Sequence, residues 1–341
     1  MITYRVHSAA PIQSFPLVRE ELKDPQPGPG QVRIKVAFCG VCHTDLHIAE
    51  GDIHPPHLPV TPGHQITGRI DAIHPKDISN PGHPGRNELK IGQRVGLPWL
   101  YSTCGKCDYC KRGLENLCPE AKFTGFSVDG GFGEFVIADA DFVLPLPDEI
   151  SDIQAAPLLC AGIVGYRALK KAEIRPGNNV GLFGFGASAH LSIQVLNFWG
   201  CRTSVFTRSR AHQKHALELG AVWAGDAGEE PPAPLDQAVI YAPSGALTLR
   251  ALELLKPGGT AAINAIHMSD IPSFPYEKIY GERTLRSVAN ATYQDGQEFL
   301  SLALSAGIKS TVTEYPLDKV NEALQDLKAS RINGEAVLKV R

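Results

Sequence analysis

The sequence predicts a two-domain α/β protein, with a β-rich domain first and a doubly wound parallel sheet after it. Three observations predict this. The chain has 341 residues, more than one ordinary core holds at roughly 150 residues per domain. Its first part consists of short apolar runs set between Gly and Pro clusters, the pattern of a β-rich region. Beyond Pro157 short apolar strands alternate with longer helical segments, the rhythm of a parallel sheet.

Residues 32–37 (Val, Arg, Ile, Lys, Val, Ala) alternate with period two, so they read as a strand with one buried face. Residues 69–73 and 135–138 read as further short strands. Residues 158–171 have helical periodicity, followed by a strand at 180–183, a helix at 187–199 and a strand at 203–206; together they make a βαβ unit. Strand 237–241, helix 246–255 and strand 260–264 extend the sheet to about Val288. The tail returns to helices and one last strand. The expected domains are residues 1–160 with 290–341, and residues 161–289. The acidic, proline-rich residues 229–234 read as a surface loop.

Apolar residues make up 43% of the chain and the net charge is -3, values of a globular domain without a polyanion-binding surface. The densest basic runs, residues 208–214 and Lys170-Lys171, are short enough to be solvated helix faces. No nucleic-acid partner is expected. Residues 1–13 lack the basic start and apolar run of a signal peptide, and no stretch approaches the roughly 18 apolar residues of a membrane span. The expectation is a cytosolic protein without a membrane partner. In that compartment disulfides rarely persist, so the eight cysteines should be thiols or metal ligands.

Cys104, Cys107, Cys110 and Cys118 form C-x2-C-x2-C-x7-C. Gly105 and Gly113 let the chain fold back on one point. Four thiolates in one short loop, within a lobe over residues 98–120, suit a closed tetrahedral zinc that staples a segment without a core of its own. A second cluster begins at Cys42 and continues with His43, Thr44, Asp45 and His47, with Gly63-His64 further on. Cysteine, histidine and a third ligand, with one position left open, is what a catalytic zinc needs. Cys160 is the candidate third ligand, although as a bare residue it reads more readily as core packing. Cys39 forms C-x2-C with Cys42 and offers a competing assignment. His54, His57, His74 and His83 lie in Pro- and Gly-rich stretches and read as surface residues, while Cys201 reads as a small buried one.

Gly184-Phe185-Gly186-Ala187-Ser188-Ala189 follows an apolar strand and opens a helix, giving the G-x-G-x-x-A of a dinucleotide loop. Gly184 permits the tight turn, Gly186 the approach of a pyrophosphate, and Ala189 close helix packing. At the end of the next strand the acidic residue that binds ribose hydroxyls is replaced by Thr207, followed by Arg208, Ser209 and Arg210. Two guanidinium groups there suit a 2′-phosphate, so NADP(H) is preferred over NAD(H). The plainer reading of these arginines is that they open an exposed helix.

Taken together the chain resembles the zinc-dependent medium-chain alcohol dehydrogenase family over essentially its whole length. The marks are Gly40-Val-Cys42-His43-Thr44-Asp45, Pro62-Gly63-His64, the four-cysteine lobe, Gly130-Gly131-Phe132-Gly133-Glu134, Leu159-Cys160-Ala161-Gly162, the glycine loop, Leu219-Gly220-Ala221 and Lys256-Pro257-Gly258-Gly259. The resemblance implies a GroES-like catalytic domain beside a Rossmann domain, two zinc ions per chain, and a homodimer or homotetramer. It implies that Cys42, His64 and Cys160 hold the catalytic zinc, with Asp45 orienting His64. Thr44 would take the proton of the alcohol and pass it through the nicotinamide ribose to His47, and His43 would lie by the pyrophosphate. The reaction implied is hydride transfer between a primary alcohol or its aldehyde and the nicotinamide, in a pocket walled by Ile53, Trp99 and Leu100.

Three residues depart from the family pattern. Gln65 replaces the glutamate of Gly-His-Glu, Val164 stands where a polar residue is common, and Glu335 replaces the arginine after Gly334. Metal exchange and cofactor affinity are expected to differ accordingly. A zinc-free quinone or enoyl reductase of the same superfamily is the alternative enzyme, and a zinc-stabilised nucleotide sensor the non-catalytic one. The metal ligands speak against the first, and the intact Thr44 and His47 against the second.

Overall fold

A computed structural model describes residues 1–74 and 89–340; His83 lies outside the described residues. The chain forms two compact units. The first comprises Met1–Cys160, Asn290–Leu300 and Val312–Arg341, the second Ala161–Ala289 and Ser301–Thr311.

The first unit is organised around the long strand Gln31–Val41, whose first half pairs antiparallel with Phe135–Asp139 and whose second half pairs with Glu335–Lys339. Its other edge carries Gln65–Ile73, then Arg94–Leu97 and Leu144–Pro145, while Val312–Pro316 lies outside Glu335–Lys339. Val32, Ile34 and Val36 are buried, as the alternation requires. Each such side chain stabilises the fold by about 1.5–3 kcal/mol. The register that sets Ala336 opposite Val41 carries Glu335 to the level of Cys42. Ile12, Leu17, Val320 and Leu324 close the same core.

The second unit is a six-stranded, wholly parallel sheet in the order Trp223–Gly225, Arg202–Phe206, Asn179–Phe183, Leu235–Ile240, Leu255–Ile263 and Thr284–Ser287. Numbered along the chain this is 3-2-1-4-5-6, the Rossmann order, and its ligand crevice lies where the order reverses, beyond the carboxyl end of the first strand. The glycine loop starts there, at Gly184. The strand expected to open at Thr260 begins at Leu255 instead, so Lys256-Pro257-Gly258-Gly259 belongs to the sheet with an irregular register opposite Leu235 and Gln237.

The helix expected over residues 158–171 is interrupted. Pro157–Leu159 forms a single 3-10 turn, Cys160 adopts φ -132° and ψ -68°, and the α-helix runs over Ala161–Lys171. The break takes Cys160 out of the helical ladder.

His190, on the helix Ala187–Phe198, ties that helix to residues 309–311. Its Nε2 accepts from the Thr311 amide at 3.2 Å, and the Gln194 side chain bonds both the amide and the carbonyl of Lys309 at 3.0 and 2.9 Å. Burial pushes the His190 imidazole down to about 4. A histidine depressed in the folded state contributes stability that is complete above its unfolded pKa, about 6.5, and is lost as pH falls toward the folded value. The expected result is a loss of roughly 3 kcal/mol between pH 6.5 and 4. Urea midpoints of the native protein and of His190→Gln, measured across that range, should converge at the acid end; parallel curves would rule His190 out as the titrating group.

Candidate active site and metal centres

Cys42 follows the Gln31–Val41 strand directly and caps the helix His43–Glu50. Asp45, in the first turn, is wholly buried and acts as a hub. Its Oδ2 accepts from the Cys42 amide at 2.9 Å, and its Oδ1 accepts from the Gly63 amide at 2.9 Å and faces His64 Nδ1 at 3.1 Å. One carboxylate thus fixes both ends of the cluster. Gly63 is at φ 95°, and a Cβ there would lie 2.5 Å from the Phe132 ring, so only glycine places His64 this way.

The interrupted turn at Cys160 completes the group. The donor atoms of Cys42, His64 and Cys160 all lie within 4.8 Å of one another. With Nδ1 taken by Asp45, His64 Nε2 is buried without a hydrogen-bond partner. A buried orphan nitrogen facing two thiols fits a metal ion better than a proton donor. Hydrogen bonding from the Cys160 thiol, reinforced by His64 against the opposing effect of burial, holds Cys42 well below the usual thiol range. Burial lowers the His64 imidazole, but the Asp45 carboxylate and Cys42 outweigh it and raise the ring to about 10. The metal-free group therefore concentrates negative charge around a proton that a cation would displace. Cys39 does not join it: wholly buried, its sulfur packs against Gly63 and Gly131.

Thr44 is buried with its hydroxyl 3.7 Å from Cys42 Sγ. His47, one turn on, pairs through Nδ1 with Asp52 at 2.7 Å, and its ring centroid is 6.5 Å from that of the exposed His43. Asp52 escaped the sequence reading, although its place just after the helix-ending Gly51 is a local signal. Trp99 stands edge-on to His64 at 4.8 Å and stacks on Phe123 at 5.2 Å, with Phe126 at 5.9 Å. Phe123 and Phe126, not foreseen from the sequence, also line an open cavity of about 620 Å³ with His54, Pro56 and Lys122. Ile53 is half-buried and Leu100 buried.

In the lobe, the four sulfur atoms of Cys104, Cys107, Cys110 and Cys118 also lie within 4.8 Å of one another. The separations Cys107–Cys110, Cys104–Cys118 and Cys104–Cys110 are 3.5, 3.6 and 4.0 Å. Ligands about 2.3 Å from a tetrahedral zinc stand about 3.8 Å apart. All eight cysteines are free, and the separations of these four sulfur atoms fit a tetrahedral metal cage. The amides of Lys106 and Cys107 pull the Cys104 thiol down to about 7.

In the second unit Gly184 has φ 96°, and a Cβ on it would lie 2.9 Å from the Ala242 amide nitrogen. Gly186 caps the Ala187–Phe198 helix, and a Cβ on it would meet no atom within 4 Å. Ala189 is fully buried. The turn is closed on one side and open on the side where a phosphate would approach. Thr207 is half-buried, its carbonyl accepting from Gln213 Nε2 at 2.7 Å, while Arg210 donates to Gln213 Oε1 at 2.9 Å. Arg208 is exposed, and Ser209 caps the helix Arg210–Glu218.

A probable alcohol dehydrogenase of Mycobacterium tuberculosis is 44% identical over 339 residues, covering 99% of this chain and 97% of its own length. The alcohol dehydrogenase GroES-like domain family matches residues 28–148. The chain belongs to the zinc-type medium-chain alcohol dehydrogenase family. The solved alcohol dehydrogenase of Aeropyrum pernix superposes with TM-score 0.86 at 28% identity, covering 100% of both chains. A cinnamyl alcohol dehydrogenase of Sorghum bicolor gives 0.87 at 26% identity, covering 99% of this chain and 97% of that one. The protein is an alcohol dehydrogenase acting on small-molecule alcohols and aldehydes, with a GroES-like and a Rossmann-type domain. Among the described residues no helix is long and apolar enough to cross a membrane.

Two of its departures from the alcohol dehydrogenase pattern meet in space. Gln65 Nε2 donates to Glu335 Oε1 in a short hydrogen bond across the Gln31–Val41 strand, 270 residues apart in sequence. Glu335 is therefore not a surface residue facing a pyrophosphate; it is 1% exposed, and burial pushes its carboxyl well above the usual carboxylate range. Val164 is half-buried in the helix Ala161–Lys171.

Proposed function

We propose that this alcohol dehydrogenase is zinc-dependent, carries one catalytic and one structural zinc per chain, and transfers hydride between a primary alcohol or its aldehyde and NADP(H). The observation that carries the reading is the triangle of the partly buried Cys42 and Cys160 with the buried His64, whose Nε2 has no hydrogen-bond partner. Two cysteines and a histidine with an open position form the ligand set of a catalytic zinc in alcohol dehydrogenases. Cys104, Cys107, Cys110 and Cys118 would hold the second ion, with no position left for a substrate.

When bound, the catalytic ion supplies polarisation of the alcohol oxygen and the nicotinamide supplies the hydride acceptor. The remaining work falls to side chains. Asp45 holds His64 in the tautomer that leaves Nε2 free. The buried Thr44 hydroxyl takes the alcohol proton, and His47, steadied by Asp52 at 2.7 Å, delivers it toward solvent. Trp99, backed by Phe123 and Phe126, presents an apolar wall beside His64 that excludes water and favours uncharged substrates.

Gly184, Gly186, Ala187 and Ala189 would cradle the pyrophosphate at the helix N-terminus. Thr207 in place of an acidic residue, followed by Arg208 and Arg210, supports a 2′-phosphate at the ribose. Thr207→Asp should weaken NADPH binding by about tenfold or more, 1.4 kcal/mol, while NADH binding holds or improves. Fluorescence titration of both nucleotides checks this; an unchanged NADPH affinity refutes the assignment.

The deciding experiment pairs zinc content per chain with oxidation of NADPH and NADH against a panel of aliphatic and aromatic aldehydes. Two zincs and NADPH-dependent aldehyde reduction are expected. A single zinc with reduction of quinones or enones alone would transfer the chain to the zinc-free branch of the superfamily.

A further inference from the structure

The pairing of Gln65 with Glu335 leaves one atom unexplained. Glu335 Oε1 accepts from the Gln65 amide, but Oε2 is buried and has no protein partner. A buried acceptor left unsatisfied costs about 1–3 kcal/mol, and a carboxyl costs more than an amide at the same place. A methionine at 335 would fill the space without that cost, and a glutamine at a lower one. The position is also built around the carboxyl. A Cβ on Gly40 would lie 2.7 Å from both Gln65 Nε2 and Glu335 Oε1, so the missing side chain of Gly40 leaves the gap in which the two groups meet.

The place of this orphan oxygen suggests its partner. Extending the Ala336–Val41 and Gly40–Gln65 pairings by one residue puts Glu335 across from Cys42, and Gln65 is the chain neighbour of His64. The Cys42, His64 and Cys160 donor set leaves room for further ligands, carboxylate oxygen is an accepted donor to zinc, and catalytic zinc sites expand to five ligands when a reaction requires it. Resting on the zinc reading above, we infer that Glu335 is an auxiliary carboxylate of the metal site, whose Oε2 engages the cation as it enters or leaves the Cys42–His64–Cys160 triangle while the Gln65 amide steers Oε1. The exchange balances in ligands and protons: the cation displaces the carboxyl proton of Glu335 to solvent as the oxygen joins it, before a thiolate or the imidazole lets go, and the carboxyl takes a proton back when the three ligands close again. Glu335 thereby lowers the barrier to metal exchange without belonging to the resting ligand set.

The test follows metal and not turnover. Purified holoenzyme is first assayed for zinc, then mixed with excess 4-(2-pyridylazo)resorcinol, and zinc transfer is read from the absorbance of the chelate. The four-cysteine zinc supplies an internal reference phase. Glu335→Gln preserves the size of the side chain and its bond to Gln65, and should slow release from the catalytic site by about tenfold or more while the reference phase stays unchanged. Release at the native rate or faster overturns the inference, because a carboxylate that merely attracts the cation would speed release when removed. If Glu335→Gln does not fold, Glu335→Asp decides. It keeps the charge but retracts the oxygen by one methylene, so slower release supports the inference and native release overturns it. A native protein holding zinc only in the four-cysteine lobe overturns this inference together with the zinc reading. Two zincs released independently of residue 335 overturn this inference alone.

Discussion

Cys42→Ser should yield a folded protein with turnover reduced by at least about a thousandfold, since a polarising metal supplies several kcal/mol and each 1.36 kcal/mol is a factor of ten. Serine is close in size to cysteine, so the capping geometry at the head of the His43–Glu50 helix survives; Asp45 reaches that residue through its backbone amide. What disappears is the thiolate. Cys42 is the low-pKa member of the Cys42–Cys160 pair, whereas a serine hydroxyl stays protonated and is a poor ligand for a soft site. Circular dichroism and thermal melting should change little while steady-state rates collapse and zinc content falls toward one ion per chain. Retention of more than a tenth of native turnover would refute a metal role for Cys42.

Cys107→Ser should have the opposite profile. Between Cys104 and Cys118 the chain forms only the four-residue helix Asp108–Lys111 and the 3-10 turn Glu115–Leu117, and Cys104, Cys107 and Cys110 are only partly buried. With so little apolar packing, the proposed zinc would supply most of the local stability. Breaking the site should cost on the order of 4 kcal/mol, lowering the melting temperature by on the order of 10 °C in a chain of this size. Activity measured well below that temperature should fall far less than in Cys42→Ser. Differential scanning calorimetry with metal analysis separates the cases, and equal losses of stability and turnover in both variants would contradict a division into structural and catalytic sites.

The contrast between the two sites explains how much could be read in advance. The four-cysteine lobe was legible because all its donors fall within residues 104–118 and two glycines at positive φ, Gly105 and Gly113, turn the loop locally. The glycine loop was legible for the same reason: its turn, cap and first helical residues are contiguous, and the flanking strand announces them. That Asp45 orients His64 follows from the sequence only through family resemblance, since eighteen intervening residues include a loop and no local rule brings the two side chains together. Cys160 was the least legible donor. By periodicity it belongs to a helix over residues 158–171, and only the folded chain breaks that helix at residue 160.

Glu335 marks the limit. Read alone, it is a charged residue near the C-terminus that spoils a phosphate contact, and Gln65 is a neutral residue that spoils a metal-site carboxylate. Each departure looks like a loss. Sheet register brings them together: Glu335–Lys339 and Gln65–Ile73 flank the same Gln31–Val41 strand, and a glycine at position 40 leaves the gap between them. The sequence by itself determined the α/β class, the Rossmann strand rhythm, the four-cysteine loop and the dinucleotide turn, because these depend on periodicity and on spacing within a few residues. Only the folded chain shows how the helix break brings Cys160, and not Cys39, up to Cys42 and His64, that Phe123 and Phe126 back Trp99, and that Glu335 is buried beside Gln65. Such contacts join segments tens to hundreds of residues apart, and their geometry is set by strand register and helix breaks, which have no local signature in the chain.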